Sequence, residues 1–276
     1  MPRKTAVVGF MKNSKRPIGI FDSGLGGLTV FKAVRRLMPR EDIIYFGDTA
    51  RVPYGSKSKE AVISFSKEIA SLLSARGVKL VVVACNTASS LALEEVRKVS
   101  KAPVIGVIEP GARAAAAATV NSRILVTGTA ATIASGAYSK VLKKLKPGAR
   151  VYEKACPLFV PLVEEGWCSK KVTELVVSEY LKPLKKKGFD TLILGCTHYP
   201  MLEGVIAKVL GGGIRIVDSA WAAAVEARNN LASGHLLNSA GRGRAWFIAS
   251  DAPEKFKTLA WRLLRIRTGR VEVHRF

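Results

Sequence analysis

Two cysteines stand out by position. Cys85 closes the apolar run Leu80–Ala84, and Cys196 closes Thr191–Gly195; each leads into a helical pattern. A free thiol ionises near ~8.5, and an N-terminal helix turn lowers that value because its free N–H groups stabilise a thiolate. Asn86 and Thr87 follow the first cysteine, and Thr197 and His198 the second, all good capping residues for such turns. Two tunable thiols on opposite sides of a cleft suit proton transfer at carbon, where one takes a proton and the other returns a proton to the opposite face. Cys156 and Cys168 are the remaining cysteines, no C-x-x-C pair occurs, and the His residues do not sit at metal-ligand spacing from them. A zinc or thioredoxin-type site is therefore not expected.

Further polar residues sit at the same kind of place. Asp22 ends the strand-like run Ile18–Phe21 and opens the glycine-rich turn Asp22–Gly27, which contains Ser23. A carboxylate ending a buried strand needs a partner or a role. Thr29 occupies the third glycine position of G-x-G-x-x-G, and no Lys-Ser/Thr follows for a phosphate loop, so a nucleotide site is rejected. A small carboxylate on the helix N-terminus remains open. The polar loop Gly47–Gly55 brings Pro53, Tyr54 and Gly55, and by itself reads as a connecting loop. Thr129 and Thr132 fall at a helix start, where capping and ligand binding compete as explanations. Glu164 and Glu165 read as a solvated helix edge, and His198 either as a cap or as a group tuning Cys196.

The elements that must carry these residues follow from periodicity. Strand-like stretches lie at Ile18–Phe21, Ile43–Gly47, Leu80–Ala84, Val104–Ile108, Arg123–Thr127, Arg150–Glu153, Thr191–Gly195, Arg215–Asp218 and Ala245–Ala249. Helical patterns lie between them, at Thr29–Leu37, Lys59–Arg76, Ser89–Val99, Ala131–Lys144, Ser169–Lys186, Pro200–Leu210 and Pro253–Leu264. Buried parallel strands separated by amphipathic helices define an α/β protein, here of two domains. A faint repeat supports two related halves: Leu80–Thr87 aligns with Thr191–His198, and Ile18–Gly24 with Arg123–Thr129. Ligands of open α/β sheets bind at strand carboxyl ends, so pseudo-twofold halves would share one cleft there.

The 276 residues are 48% apolar, and the formal charge is +23, from 44 Lys and Arg against 21 Asp and Glu. The basic groups are dispersed over Arg3–Arg16, Lys140–Arg150, Lys182–Lys187 and Arg262–Arg275 without a nucleic-acid-binding motif. Non-specific polyanion binding at low salt is expected, specific nucleic-acid recognition is not. The apolar run Val78–Leu93 is too short and too polar for a membrane span. Residues 1–16 read as a basic extension without the apolar core and cleavage site of a secretory signal, which points to the cytoplasm.

Six segments together resemble the glutamate racemases of the aspartate/glutamate racemase superfamily: Asp22–Gly27 (DSGLGG), Gly47–Gly55 (GDTARVPYG), Ala84–Ser89 (ACNTAS), Gly128–Thr132 (GTAAT), Cys156–Glu164 (CPLFVPLVE) and Gly195–Pro200 (GCTHYP). The resemblance runs from about Pro17 to Leu264. It implies a cofactor-independent, metal-free two-base enzyme that interconverts L- and D-glutamate, supplying D-glutamate for peptidoglycan. Cys85 would serve as base toward D-glutamate with help from Asp22, and Cys196 toward L-glutamate with help from His198 and Glu164. Ser23, Pro53, Tyr54, Gly55, Asn86, Thr87, Thr129, Thr132 and Thr197 would hold the substrate. The resemblance also implies a homodimer and a discontinuous first domain, 17–108 with 219–276, around a second domain, 109–218. The +23 charge, residues 1–16 and the segment Trp221–Leu231 depart from the family pattern. Two alternatives stay open: an aspartate racemase with the same thiol pair, and a basic nucleic-acid-associated protein on an inert racemase scaffold.

Overall fold

The computed structural model describes residues 13–276, so residues 1–12 of the expected extension lie outside the described residues. Two wholly parallel sheets organise the chain. Strands β1 (Ile18–Asp22), β2 (Ile43–Gly47), β3 (Leu80–Val83), β4 (Val104–Gly106), β9 (Ala245–Ala249) and β10 (Val271–Val273) form a six-stranded sheet in the order β10-β9-β2-β1-β3-β4. Strands β5 (Arg123–Gly128), β6 (Arg150–Ala155), β7 (Thr191–Gly195) and β8 (Arg215–Asp218) form a four-stranded sheet in the order β6-β5-β7-β8. The chain leaves the first sheet after β4, builds the whole of the second, and returns through the helix Ser219–Ser233.

The inner strands read as unbroken apolar runs because both faces are covered, while the edge strand Arg150–Ala155 has no buried residue. In the first sheet, Ile18, Ile20, Ile43, Tyr45, Leu80 and Val82 pack with residues of the helices Leu28–Leu37, Ser219–Ser233 and Pro253–Leu264. The alternate residues Phe21, Ile44, Phe46, Val81 and Val83 pack against Lys59–Ala75 and the helices after β3. The second sheet divides its residues in the same way between two cores, with Leu125, Leu192 and Leu194 in one, and Ile124, Val126 and Ile193 in the other. Paired registers align the strand ends. Asp22 lies opposite Gly47 in the first sheet and Gly128 opposite Gly195 in the second, so the residues that follow these ends gather at the carboxyl edges.

All nine expected strands are present, four with the expected bounds and five with one end shifted by one or two residues. Val104–Ile108 is shorter than expected: the strand stops at Gly106 and Ile108–Ala118 is helical. Val107 and Ile108 continue the apolar run of the strand, so the sequence does not mark where the helix begins. Expected helices are broken where the backbone requires it. Ala131–Lys144 divides at Gly136, which has φ 60°, a left-handed conformation that suits glycine. Ser169–Lys186 is α-helical over Lys171–Leu181 and continues as a 3-10 turn containing Pro183. The segment Trp221–Leu231, atypical by sequence, belongs to the returning helix. Ala220, Ala223, Ala224, Ala227 and Leu231 are buried, and the helix packs between Leu28–Leu37 and Ile108–Ala118. No helix of the described residues is long and apolar enough to cross a membrane.

Candidate active site

Both cysteine turns open on one small cavity between the sheets. Its wall is built from Ser23, Val52, Pro53, Tyr54, Gly55, Cys85, Asn86, Thr87, Thr129, Val160, Cys196, Thr197 and His198. Its volume is about 20 Å³, room for about one water molecule. Of the residues expected from sequence, Asp22, Thr132 and Glu164 stand behind this wall and contact it. Val52 and Val160, not singled out by sequence, complete the apolar part of the lining; neither type carries a chemical signal of its own.

Cys85 is the N-cap of the helix Asn86–Leu91, and its sulfur accepts the Ala88 N–H at 3.5 Å. Its thiol donates to Ser23 Oγ at 3.6 Å. The helix terminus was expected to lower its pKa, yet the thiol is pushed up to about 12. Burial is the largest cause and the neighbouring Asp22 charge the second, and these outweigh the single N–H and the Ser23 hydroxyl. Asp22 is fully buried; its carboxylate accepts Gly24 N–H at 2.9 Å and the Thr197 hydroxyl at 3.4 Å. Burial raises its pKa, opposed by the His198 charge and by hydrogen bonds.

The Cys196 turn is built differently. Its sequence promised a capped helix, but a 3-10 turn, Tyr199–Leu202, comes first and the α-helix starts only at Glu203. The His198 side chain makes no cap hydrogen bond. Its Nδ1 lies 3.9 Å from the Cys196 sulfur and its Nε2 lies 3.2 Å from Glu164 Oε1. Burial alone would lower the imidazole pKa. The hydrogen bonds to Cys196 and Glu164, with the charges of Cys196 and Asp22, instead raise it to about 10. Glu164 is correspondingly held below the usual carboxylate range, chiefly by its hydrogen bond to His198. So Glu164 is half-buried and hydrogen-bonded to a residue of the cavity wall, while Glu165 is exposed.

The two halves meet through polar and glycine contacts. The hydroxyls of Thr87, Thr129 and Thr132 form a triangle, with separations of 3.0, 3.2 and 3.0 Å. Thr129 also caps its helix by accepting Thr132 N–H, the first of the two explanations open at the sequence level. A Cβ on Gly26 would lie 2.3 Å from Thr197 Oγ1 and 2.5 Å from His198 Nδ1, and one on Gly55 would lie 2.7 Å from Thr129 Cβ. Only glycine permits these approaches. Tyr54 borders the cavity, but its hydroxyl donates to Asp48, whose carboxylate also binds Arg51 at 2.7 Å and the Ser250 hydroxyl at 2.7 Å. What Tyr54 can offer a ligand is therefore its ring edge and backbone. Among the described residues no cluster of three or more His, Cys, Asp or Glu side chains could hold a metal ion.

Residues 26–227 match the family model described as Asp/Glu/Hydantoin racemase. A glutamate racemase of Geobacter metallireducens is 50% identical over 257 residues, 93% of this chain and 95% of that protein. The crystal structure of glutamate racemase from Francisella tularensis in complex with D-glutamate superposes with a TM-score of 0.89 at 38% identity, covering 95% of this chain and 98% of that one. Glutamate racemase from Thermus thermophilus, in complex with beta-chloro-D-alanine, gives 0.87 at 48% identity, covering 95% and 98%. This chain belongs to the Asp/Glu/Hydantoin racemase family and, within it, to the glutamate racemases.

Proposed function

We propose that the chain interconverts L- and D-glutamate without a cofactor, by proton transfer between the α-carbon and the two thiols. The observation that carries this reading is the pair Cys85 and Cys196, one from each sheet, lining a single cavity. From L-glutamate, the Cys196 thiolate takes the α-proton and becomes a thiol. The Cys85 thiol then gives its proton to the opposite face of the carbanion, leaving D-glutamate and a Cys85 thiolate. The reverse reaction exchanges the roles. The electrostatics support this division of labour at rest. Cys85, pushed up to about 12, holds its proton near neutral pH. His198, raised to about 10, places a positive charge 3.9 Å from the Cys196 sulfur, which stabilises negative charge there. Asp22 would assist Cys85 when it acts as the base toward D-glutamate, and Glu164 would hold His198 in its charged form.

The α-proton of an amino acid is weakly acidic, so its removal needs donors fixed around the developing carbanion and exclusion of water. The hydroxyls and backbone groups of Ser23, Thr87, Thr129, Thr132, Thr197 and the segment Pro53–Gly55 would supply the donors. The cavity wall draws on both halves, so glutamate would enter as the halves part and be held as they close. The halves are read as domains 17–108 with 219–276, and 109–218. A cytoplasmic homodimer feeding D-glutamate to peptidoglycan completes the reading. Incubating the purified protein with L-glutamate and, separately, L-aspartate tests it: optical rotation should decay to zero with glutamate and no added cofactor. Faster decay with aspartate would move the assignment to the aspartate alternative, and no decay with either would remove it.

A further inference from the structure

Behind Cys85 lies a buried polar cluster that the proton-transfer scheme does not use. Asn86 Nδ2 donates to Tyr138 Oη at 2.9 Å and to Ser219 Oγ at 3.4 Å. Tyr138 Oη donates to Ser219 Oγ at 3.5 Å, and Ser219 Oγ donates to the Leu194 carbonyl at 3.2 Å. All three side chains are buried, at 2%, 1% and 4% exposure. They come from different parts of the fold: Asn86 follows β3, Tyr138 lies in the helix Ala137–Leu145, and Ser219 opens the returning helix.

The cluster has a direction. A backbone carbonyl can only accept, so the Ser219 hydroxyl spends its single proton on Leu194 and presents lone pairs to its other neighbours. Tyr138 then gives its proton to Ser219 and presents a lone pair to Asn86. Both neighbours of the amide are thereby acceptors, and the NH2 end faces them. A flipped amide would forfeit the Asn86–Ser219 and Tyr138–Ser219 hydrogen bonds together. The consequence appears at the other end: Asn86 Oδ1 is buried and has no partner among the described residues, in a side chain that lines the cavity. A buried lone acceptor is costly unless a donor arrives. An ammonium is all donor; a carboxylate offers none.

We propose that Tyr138 and Ser219 are positioning residues that fix the Asn86 amide so that its carbonyl receives the substrate's α-ammonium. The proposal rests on the racemase reading and adds how the site tells an amino acid from an ammonium-free dicarboxylate of the same length.

The test compares glutamate with glutarate, which carries both carboxylates and no ammonium. In Tyr138→Phe and Ser219→Ala, the KM for either glutamate enantiomer should rise about tenfold, the loss of one hydrogen bond to a charged group. The inhibition constant of glutarate should stay at the wild-type value. Equal rises in both constants would assign the cluster to the general architecture of the site and overturn the proposal, as would no change in either. Should Tyr138→Phe fail to fold, Ser219→Ala carries the same comparison. Absence of glutamate turnover in the wild type would strike the racemase reading instead, so the two failures are separable.

Discussion

At the scale of the residue, the site is asymmetric although the halves are related. Cys85 sits on a helix terminus yet is dominated by burial and Asp22, whereas Cys196 lacks that terminus and has His198 Nδ1 at 3.9 Å, with Glu164 on the other ring nitrogen. Replacing His198 by Asn should lower kcat/KM by about 10²-fold or more. Enantiomers have equal free energy, so the fall is equal in both directions. The asymmetry should emerge in the α-deuterium isotope effect, larger from L-glutamate, where abstraction by Cys196 becomes the slow step. His198 also carries a pH signature. Its folded pKa, raised to about 10 from an unfolded value near ~6.5, contributes stability that is complete below that unfolded value and is lost as pH rises through the folded one. The urea midpoint should fall between about pH 6.5 and about pH 9.5, and fall less in His198→Asn. Equal slopes for the two proteins would contradict the assigned charge.

At the scale of the element, glycines bring the halves together. Gly26 lies in the turn after β1 and touches the Cys196 turn of the other sheet. Gly26→Ala places a methyl group against Thr197 and His198. It should cost about 1–3 kcal/mol of stability, seen in denaturant unfolding, and about a hundredfold in kcat/KM, since displacement of reacting groups by about an ångström has that effect. A variant with wild-type kinetics would show that the approach is not needed. Elements also mark where sequence reading succeeds. Each strand that ends in Cys85, Cys196 or Asp22 was legible, because a doubly covered strand leaves an uninterrupted apolar run. The helix Ser219–Ser233 was not, since its alanines leave weak amphipathic contrast, and the start of Ile108–Ala118 merges with the apolar run of the preceding strand. The three-residue strand Val271–Val273 is too short for any periodicity.

At the scale of the molecule, the discontinuous path was invisible to periodicity and entered only through family resemblance. Nothing in the order of apolar runs tells that Ala245–Ala249 pairs with Ile43–Gly47. The contacts of Tyr138 and Ser219 were hidden for the same reason: a tyrosine within a helix reads as core until the partner from a distant segment is known. The +23 charge is likewise a property of the whole surface. The basic groups are dispersed along the sequence, so it should act by mass attraction alone. Binding to heparin or RNA at low salt should disappear by roughly 0.2 M salt, with racemisation continuing above it. Salt-resistant binding would instead favour a dedicated nucleic-acid surface.

The central claim is that two thiols act on opposite faces of one carbon. Racemisation in deuterated water measures it most directly, following deuterium at the α-carbon of both product and recovered substrate. The wild type should place solvent deuterium in the product enantiomer at the rate of racemisation, with little in recovered substrate early in the reaction, and Cys85→Ser and Cys196→Ser should each abolish turnover. Wild-type racemisation by either variant, or deuterium entering recovered substrate as fast as product, would contradict the two-base account.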